Sequence, residues 1–172
     1  MRYLPIVVFA LVLVSSPASA QGPLTPRPLD PIAVEAFALA QAQSAVVRSL
    51  VAKLEASNVI VHIISSRNLP AGVGGTTQFV TSRGGYRYVR ITLATALTKS
   101  GRTAILGHEL QHACEVAASG ADTVEGMKQL FEKDGYRAGD FFETSGATKI
   151  ENLIRTELRA RTATATGAVA GR

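Results

Sequence analysis

The sequence contains one cysteine, Cys114, and only three histidines among its 172 residues. A single cysteine excludes an internal disulfide framework, so a hydrophobic core must stabilise the chain. After residue 20 there is no apolar run of the roughly 20 residues that a membrane-spanning helix needs. Lys and Arg outnumber Asp and Glu by 18 to 13, but they are dispersed, with no run longer than two. We interpret this charge as favouring solubility, and we expect no nucleic-acid partner.

The first twenty residues have the pattern of a secretory signal peptide. Arg2 precedes the apolar stretch "YLPIVVFALVLV", and the small residues of "SSPASA" follow it. Ala18-Ser19-Ala20 matches an A-x-A cleavage site, which predicts that residues 1–20 are removed after Ala20. We therefore expect an exported protein, periplasmic or secreted, without stable membrane insertion after cleavage. No cysteine follows the cleavage site, so a lipid anchor there is not indicated.

The remaining residues, about 150, are enough for one domain with its own core. Residues 21–30 carry three of the chain's prolines and predict an extended lead-in, with Pro31 at the start of the domain. The domain itself is expected over residues 31–161. The tail at 162–172 is small, repetitive and weakly hydrophobic, which predicts disorder.

Local patterns predict an α+β fold with a short mixed sheet. Asp30 can cap a helix with Pro31 at its first position, and the Ala- and Leu-rich pattern predicts one long N-terminal helix. The β-branched "NVIVHIIS" predicts a buried strand, and "TQFVTSRGGYRYVRITLAT" predicts a β-hairpin with its turn at Ser82–Gly85. The predicted elements are a helix at about 31–56, a strand at about 59–65, the hairpin, a helix at about 101–118 ended by Gly120, a shorter helix capped by Asp122 or Thr123, a loop at "YRAGDF" and a last helix at about 142–161.

Two of the three histidines lie in the stretch "LGHELQHACEVA", residues 106–117. His108 and His112 are four residues apart and so share one helix face, where two imidazoles can converge on one cation. Zinc suits such ligands because it accepts nitrogen at about 2.0–2.1 Å in tetrahedral geometry. Glu109 points about 100° away from His108, which favours contact with a zinc-bound water rather than with the ion. Zinc would lower the pKa of that water, and Glu109 would take its proton as general base.

With this His-Glu-x-x-His pattern the chain resembles the zincin metallopeptidases. The uncharged, proline-free flanks fit a buried active-site helix, and the order of elements over about residues 31–160 is similar to a minimal zincin domain. The resemblance implies one Zn²⁺ per chain and a peptide or protein substrate. It also implies a substrate-binding strand before the active-site helix, and "YVRITLA", residues 88–94, is the segment in that position. No cofactor other than the metal is implied.

The third zinc ligand is open between two glutamates. The glycine and histidine that the metzincin branch would have after His112 are replaced by Glu115 and Ala118, so that branch is excluded. The gluzincin branch takes a glutamate from a later helix, followed by small residues. Glu143, which we expect to open the C-terminal helix and to benefit from its dipole, fits that description. Glu115 lies on the same stripe as His108, and it suits either a stretched ligand or an outer partner for the ring N–H of His112.

The other polar candidates have simpler interpretations. His62 is expected to be a hydrogen-bonded core histidine. Glu125 and Glu151 are weaker alternatives for the third ligand. The resemblance implies a Tyr, His or Arg near the developing oxyanion, for which the candidates are Tyr136, Arg137, Tyr88 and Arg90. Cys114 points to the core side and is expected to be an inert buried thiol.

The sequence thus predicts an exported, zinc-dependent metallopeptidase, a hydrolase of gluzincin type. Residues 21–30 are too few to form an inhibitory propeptide, so the chain is expected to be an enzyme of narrow specificity, an enzyme controlled by a separate protein, or not a peptidase. The alternative is a non-catalytic zinc-binding or scaffold module with a zincin-like fold. A carboxylate of Glu143 near His108 and His112 would favour the enzyme, whereas Phe141 or Phe142 plugging that point would favour the binding module.

Overall fold

A computed structural model describes residues 25–139 and 141–170 as an α+β fold with five helices and a small mixed sheet. The predicted fold class and mixed sheet are therefore confirmed. The elements in chain order are β1 Arg27–Pro28, α1 Pro31–Gln43, α2 Ala45–Glu55, β2 Val59–Ser66, β3 Gly75–Arg83, β4 Tyr86–Ala94, α3 Lys99–Ser119, α4 Val124–Asp134, β5 Tyr136–Ala138, β6 Phe141–Glu143 and α5 Ser145–Ala170.

The main sheet has four strands in the order β1-β2-β4-β3. β2 is parallel to β1 and to β4, and β3 is antiparallel to β4. The β3–β4 hairpin was predicted, and its turn places Gly84 and Gly85 at φ of 61° and 79°. Only residues without a Cβ adopt two successive positive φ values easily, which explains the glycine pair. β3 is consequently an edge strand, paired on one side only.

One face of this sheet packs against α1, α2 and α3 to form the core. Alternate residues of β2 and β4 supply the sheet side of the core, as the period of two predicts. They are Val59, Val61, Ile63, Val89, Ile91 and Leu93, all fully buried.

The predicted long N-terminal helix is wrong, because the chain breaks into α1 and α2 at Ser44. Asp30 caps α1 as expected, accepting a hydrogen bond of 2.9 Å from the Ala33 N–H. At Ser44 the backbone is extended, and its hydroxyl oxygen accepts from the Val47 N–H while the hydroxyl donates to Glu157 of α5. The serine therefore caps a second helix where the apolar pattern alone indicates continuity. The break lets α1 and α2 each pack against α3.

The helix α3 carries the histidine motif and is anchored to the sheet at its C-terminal end. Arg87 of β4 is buried on the core side and donates to the carbonyls of Val116 and Ala117, at 2.6 and 3.0 Å. The last carbonyls of a helix lack their usual backbone donors. The guanidinium supplies hydrogen bonds to these two, and the Ser119 hydroxyl also donates to the Val116 carbonyl. Gly120, with φ of 76°, ends the helix as predicted, and Thr98 caps its start.

The segment after α4 also differs from the prediction. "YRAGDF" was expected to be a loop, but β5 and β6 form an antiparallel hairpin in which Tyr136 pairs with Glu143. Glu143 is therefore the last residue of a strand and does not open the helix, which Thr144 caps by accepting from the Ala147 N–H at 3.0 Å. Gly135 permits this hairpin, because a Cβ there would lie 2.5 Å from the Glu143 carbonyl oxygen.

The two ends of the domain extend beyond the predicted limits. Part of the proline-rich lead-in forms β1, which pairs with β2 through Arg27 and Pro28. α5 continues to Ala170, so it includes most of the segment 162–172 that was predicted to be disordered. The predicted signal peptide lies outside the described residues. Within the described part of the chain, no helix has both the length and the apolar character needed to cross a membrane.

Candidate metal centre

The two histidines of the motif face each other on the buried side of α3. His108 Nε2 and His112 Nε2 are 3.2 Å apart, and both side chains are almost inaccessible to solvent. The neighbouring residues Leu106, Leu110 and Ala113 are in the core, which holds the helix close to the body of the protein. The four-residue spacing accounts for the convergence of the two rings.

Glu143 contributes a third ligand atom to the same point. Its Oε2 lies 2.8 Å from His108 Nε2 and 3.6 Å from His112 Nε2. Ligands of a tetrahedral zinc at about 2.0–2.1 Å are separated from each other by about 3.3–3.4 Å, close to the spacing of these three atoms. Glu143 Oε2 is also buried and accepts no well-formed hydrogen bond from the described residues. His108, His112 and Glu143 are thus able to hold a metal ion.

The ionisation of these groups follows from their mutual contacts. Burial by itself would raise the pKa of Glu143, but contacts with His108 and His112 lower it to about 2. Burial by itself would lower the pKa of His112, yet Glu115 and Glu143 raise it to about 9. For His108 burial again lowers the pKa, and Glu143 and Glu109 raise it above its ordinary value. Two buried rings facing one carboxylate therefore attract positive charge, from protons or from a metal ion.

Glu115 supports His112 from outside the cluster. Its Oε2 lies 3.0 Å from His112 Nδ1, the ring nitrogen that points away from Glu143. Its Oε1 accepts from Gln111 and from Thr144, at 3.1 and 2.8 Å. With both oxygens engaged this way, Glu115 occupies the position of the outer partner, one of its two predicted roles. Such carboxylate–imidazole contacts orient a metal-binding ring and increase its basicity.

Glu151, a weaker candidate for the third ligand, supports His108 in the same way. Its Oε2 is 3.2 Å from His108 Nδ1, and its Oε1 accepts from Arg155 Nε and Nη2 at 2.9 and 2.7 Å. The sequence does indicate a special position for Glu151, because the apolar residues Ala147 and Ile154 lie four and three positions away, on the same helix face. Both are fully buried in the structure. A glutamate on an otherwise apolar helix face requires a partner.

The close contact between α3 and α5 depends on two glycines. A Cβ on Gly107 would lie 2.0 Å from Ile154 Cδ1, and one on Gly146 would lie 2.7 Å from Glu115 Oε1. Small residues after Glu143 were expected to allow such an approach, and Gly146 does so. Gly107 was not singled out by the sequence, although it directly precedes His108.

Glu109 is buried beside the cluster and faces β3. Glu109 is only 5% exposed, and Thr77 Oγ1 donates a hydrogen bond to its Oε2 at 2.6 Å. Burial raises the pKa of the carboxyl group, and the Thr77 contact and the nearby histidines oppose this effect. A Cβ at Gly75 would come within 2.7 Å of Glu109 Oε1, so a glycine is needed there. Neither Thr77 nor Gly75 was identified from the sequence.

The cluster and Glu109 line a cleft of about 450 Å³. Gly72–Thr77 forms one side, so the strand at the cleft is β3, and the prediction that residues 88–94 line it is wrong. β4 is excluded because it is paired with β2 on one side and with β3 on the other. Phe141 and Phe142 belong to the wall of the cleft, along with Phe131 and Ile105. They do not separate the ligand atoms of His108, His112 and Glu143, which lie within 4.8 Å of one another.

The predicted oxyanion donors do not line this cleft. Tyr136 is 53% exposed, with its hydroxyl 3.4 Å from Thr148 Oγ1, and Arg137 Nε donates to the Gly139 carbonyl. Tyr88 lies on the sheet face opposite to the core residues of β4, with its ring centroid 6.1 Å from that of His62. For Tyr88 the reason is the alternation of side chains along β4, which directs it away from the face that carries Val89 and Ile91.

The remaining candidates also lie apart from the cluster. His62 shares the sheet face of Tyr88 and is only partly buried, so the expected core position is wrong. Arg90, on the same face, donates to Gln78 at 2.7 Å. The thiol of Cys114 is directed towards the Leu50 carbonyl of α2, and burial raises its pKa to about 11, as expected of an unreactive thiol.

Comparison of the chain with protein-family models, with curated proteins and with solved structures gave no match. What is established is an α+β protein whose His108, His112 and Glu143 form a potential metal site beside a buried glutamate.

Proposed function

We propose that this protein is a zinc-dependent metallopeptidase of the zincin type, with Glu109 as general base. The observation that carries the proposal is the meeting of three ligand atoms within 4.8 Å of one another, at the wall of a cleft, next to a buried glutamate. Each part is found alone in many proteins, but their combination at one point is what metal-assisted hydrolysis requires.

Zinc is the metal that this donor set suits best. Two imidazole nitrogens and one carboxylate oxygen are the protein ligands of many catalytic zinc sites, which keep a fourth position open. When bound, the ion would supply the Lewis acid that lowers the pKa of a water and polarises a carbonyl. The Glu115 and Glu151 contacts with the outer ring nitrogens would fix the tautomers in which both Nε2 atoms are free to bind it.

Glu109 is placed to move protons rather than to bind the ion. It is adjacent to His108 in α3, so its side chain leaves the helix in a different direction from the two ligands. Burial raises the pKa of Glu109 towards neutral pH, and a carboxyl group whose pKa lies nearer the working pH accepts and returns a proton more efficiently. Its donor Thr77 holds one oxygen, which leaves the other to receive a proton from water.

An extended peptide is the substrate that fits the cleft. The Ala94 N–H donates to the Gly74 carbonyl, so Gly74 faces β4. In an antiparallel ladder the next residues alternate, which turns the N–H and C=O of Gly75 and Thr77 towards the open edge. A substrate strand would pair with these groups, and the apolar wall of Ile105 and the phenylalanines would accept an apolar side chain.

The predicted signal peptide places this activity outside the cytoplasm, in the periplasm or the medium. Its substrates there would be peptides or proteins. We propose no nucleic-acid partner and no membrane insertion of the mature chain.

The decisive experiment compares purified mature protein, Glu109→Gln and Glu125→Gln with unstructured peptides rich in apolar residues. Glu125 is an exposed glutamate on α4 and serves as the matched control. We expect one zinc per chain in all three, and a rate about 10²–10⁴ lower for Glu109→Gln alone. Undiminished hydrolysis by a zinc-loaded Glu109→Gln sample would refute the mechanism.

The second candidate is a non-catalytic zinc-binding module. The absence of any Tyr or Arg side chain from the described lining of the cleft favours it, since such a donor commonly stabilises the oxyanion. This candidate predicts stoichiometric zinc without hydrolysis of any peptide in a diverse library. Backbone N–H groups at the edge of β3 would have to replace the missing donor if the protein is an enzyme.

A further inference from the structure

We propose that Thr77 is a positioning residue for Glu109, and that it joins the strand edge that receives substrate to the general base. This inference rests on the proposed function, which supplies the role of Glu109 but assigns none to Thr77. The contact links residues 32 positions apart, in β3 and α3, across the wall of the cleft.

The hydrogen-bond geometry is the first support. Thr77 Oγ1 lies 2.6 Å from Glu109 Oε2 and 3.2 Å from the Glu109 carbonyl oxygen. A hydroxyl has one proton, so the shorter contact, to the carboxylate, is the stronger bond. Among the described residues, no other hydrogen bond to the Glu109 side chain is found. A carboxylate this deeply buried needs a donor, and Thr77 provides it.

The position of Thr77 in the ladder is the second support. Thr77 pairs with Ile91, whose side chain is in the core, so the Thr77 side chain points to the same layer and meets α3. Its own N–H and C=O point to the open edge, as the alternation from Gly74 requires. One residue therefore offers its backbone to a substrate strand and its hydroxyl to the base.

The packing at Gly75 fixes the distance between the two elements. A Cβ there would be 2.8 Å from Ile105 Cγ2 and 2.7 Å from Glu109 Oε1, so β3 and α3 are in direct contact at this point. The hydroxyl of Thr77 thus acts on Glu109 from a closely packed strand, and displacement of that strand would displace the base.

The test compares Thr77→Val with Thr77→Ser in the zinc-loaded protein. Valine keeps the shape and removes the hydroxyl, whereas serine keeps the hydroxyl. We expect Thr77→Val to lower kcat about 10–100-fold with little change in KM, and Thr77→Ser to restore most of kcat. Thr81→Val, an exposed position on the same strand outside the cleft, is the matched control and should behave as the parent protein. Zinc content and melting temperature measured on each variant exclude loss of the fold.

A second readout does not depend on turnover. Acetohydroxamic acid chelates a metal and gives its proton to a neighbouring carboxylate, so its affinity for the cobalt-loaded protein, followed by visible absorption, reports a correctly placed Glu109. We expect about tenfold weaker binding for Thr77→Val and recovery for Thr77→Ser. Weaker binding with no hydrolysis by the parent protein would refute the peptidase and keep the positioning role. Parent-like affinity and kcat in Thr77→Val would overturn the inference and leave the proposed function standing.

Discussion

Replacement of Gly107 by alanine tests the contact between α3 and α5 that assembles the candidate site. A Cβ at this position would lie 2.0 Å from Ile154 Cδ1, whereas Ile154 Cγ1 and Val47 Cγ2 would be at 3.5 and 3.6 Å, which is ordinary contact. The conflict therefore involves a single methyl group. Because Ile154→Val removes that methyl, the second substitution should relieve the first.

The magnitudes follow from the two opposing effects of the alanine. Gly107→Ala gains about 1 kcal/mol in helix propensity, and overpacking costs about 1–3 kcal/mol, so the net destabilisation is about 0–2 kcal/mol. Ile154→Val alone loses about 0.5–1.5 kcal/mol through the space it opens. In the double variant the new Cβ occupies that space, so we expect stability near that of the parent and a coupling energy of about 1–3 kcal/mol.

The assay is a double-mutant cycle by urea denaturation, with melting temperatures as a check. One kcal/mol corresponds to about 2–4 °C for a chain of this size. Zinc affinity should follow the same pattern, because α5 carries Glu151 as well as Ile154, and its displacement separates Glu151 from His108. Effects that add within about 0.5 kcal/mol would contradict the described contact.

Two further predictions concern the metal centre. Loss of an outer hydrogen-bond partner weakens metal binding by about 10–100-fold, so we expect Glu151→Gln to fall within that range and Glu143→Gln, which loses a ligand, to exceed it. Competition with a chromogenic chelator measures both zinc dissociation constants. An equal effect of the two substitutions would contradict the ligand assignment. For pH, burial by itself lowers the pKa of His112, but Glu115 and Glu143 raise it from 6.5 to about 9. A folded-state pKa above the unfolded value stabilises the metal-free protein below pH 6.5, and this contribution is lost as the pH rises through 9. The melting temperature of chelator-treated protein should therefore decrease over that window, while zinc-loaded protein, whose His112 is bound and neutral, should show no such decrease.

The features that the sequence predicted correctly depend on short-range geometry. The cap at Asp30, the Gly84–Gly85 turn and the end of α3 at Gly120 each involve residues within four positions of one another. The core face of β4 likewise follows from a local property, because successive side chains of a strand point to opposite sides of the sheet.

The errors arose where a local pattern had competing solutions. An Ala-rich sequence continues through Ser44, but a hydrogen bond with Glu157 of a distant helix favours a break at that serine. Glu143 was expected to open the C-terminal helix because small residues follow it. Its pairing with Tyr136 instead makes it the last residue of β6. In both places a tertiary contact outweighed a propensity difference of about 1 kcal/mol or less.

The sequence by itself determined that His108 and His112 share one face of a helix and that Glu109 points elsewhere, because the helical repeat makes this a local property. The resemblance to the gluzincins added Glu143 and Glu115 as the main candidates for a third ligand, with Glu125 and Glu151 as weaker ones. Only the tertiary structure brought Glu143 Oε2 to 2.8 Å from His108, assigned Glu115 and Glu151 to the outer ring nitrogens, and placed Thr77 against Glu109. These contacts join residues of β3, α3, β6 and α5, and their distances depend on how closely glycines such as Gly75 and Gly107 let those elements approach, which no pattern within one element encodes.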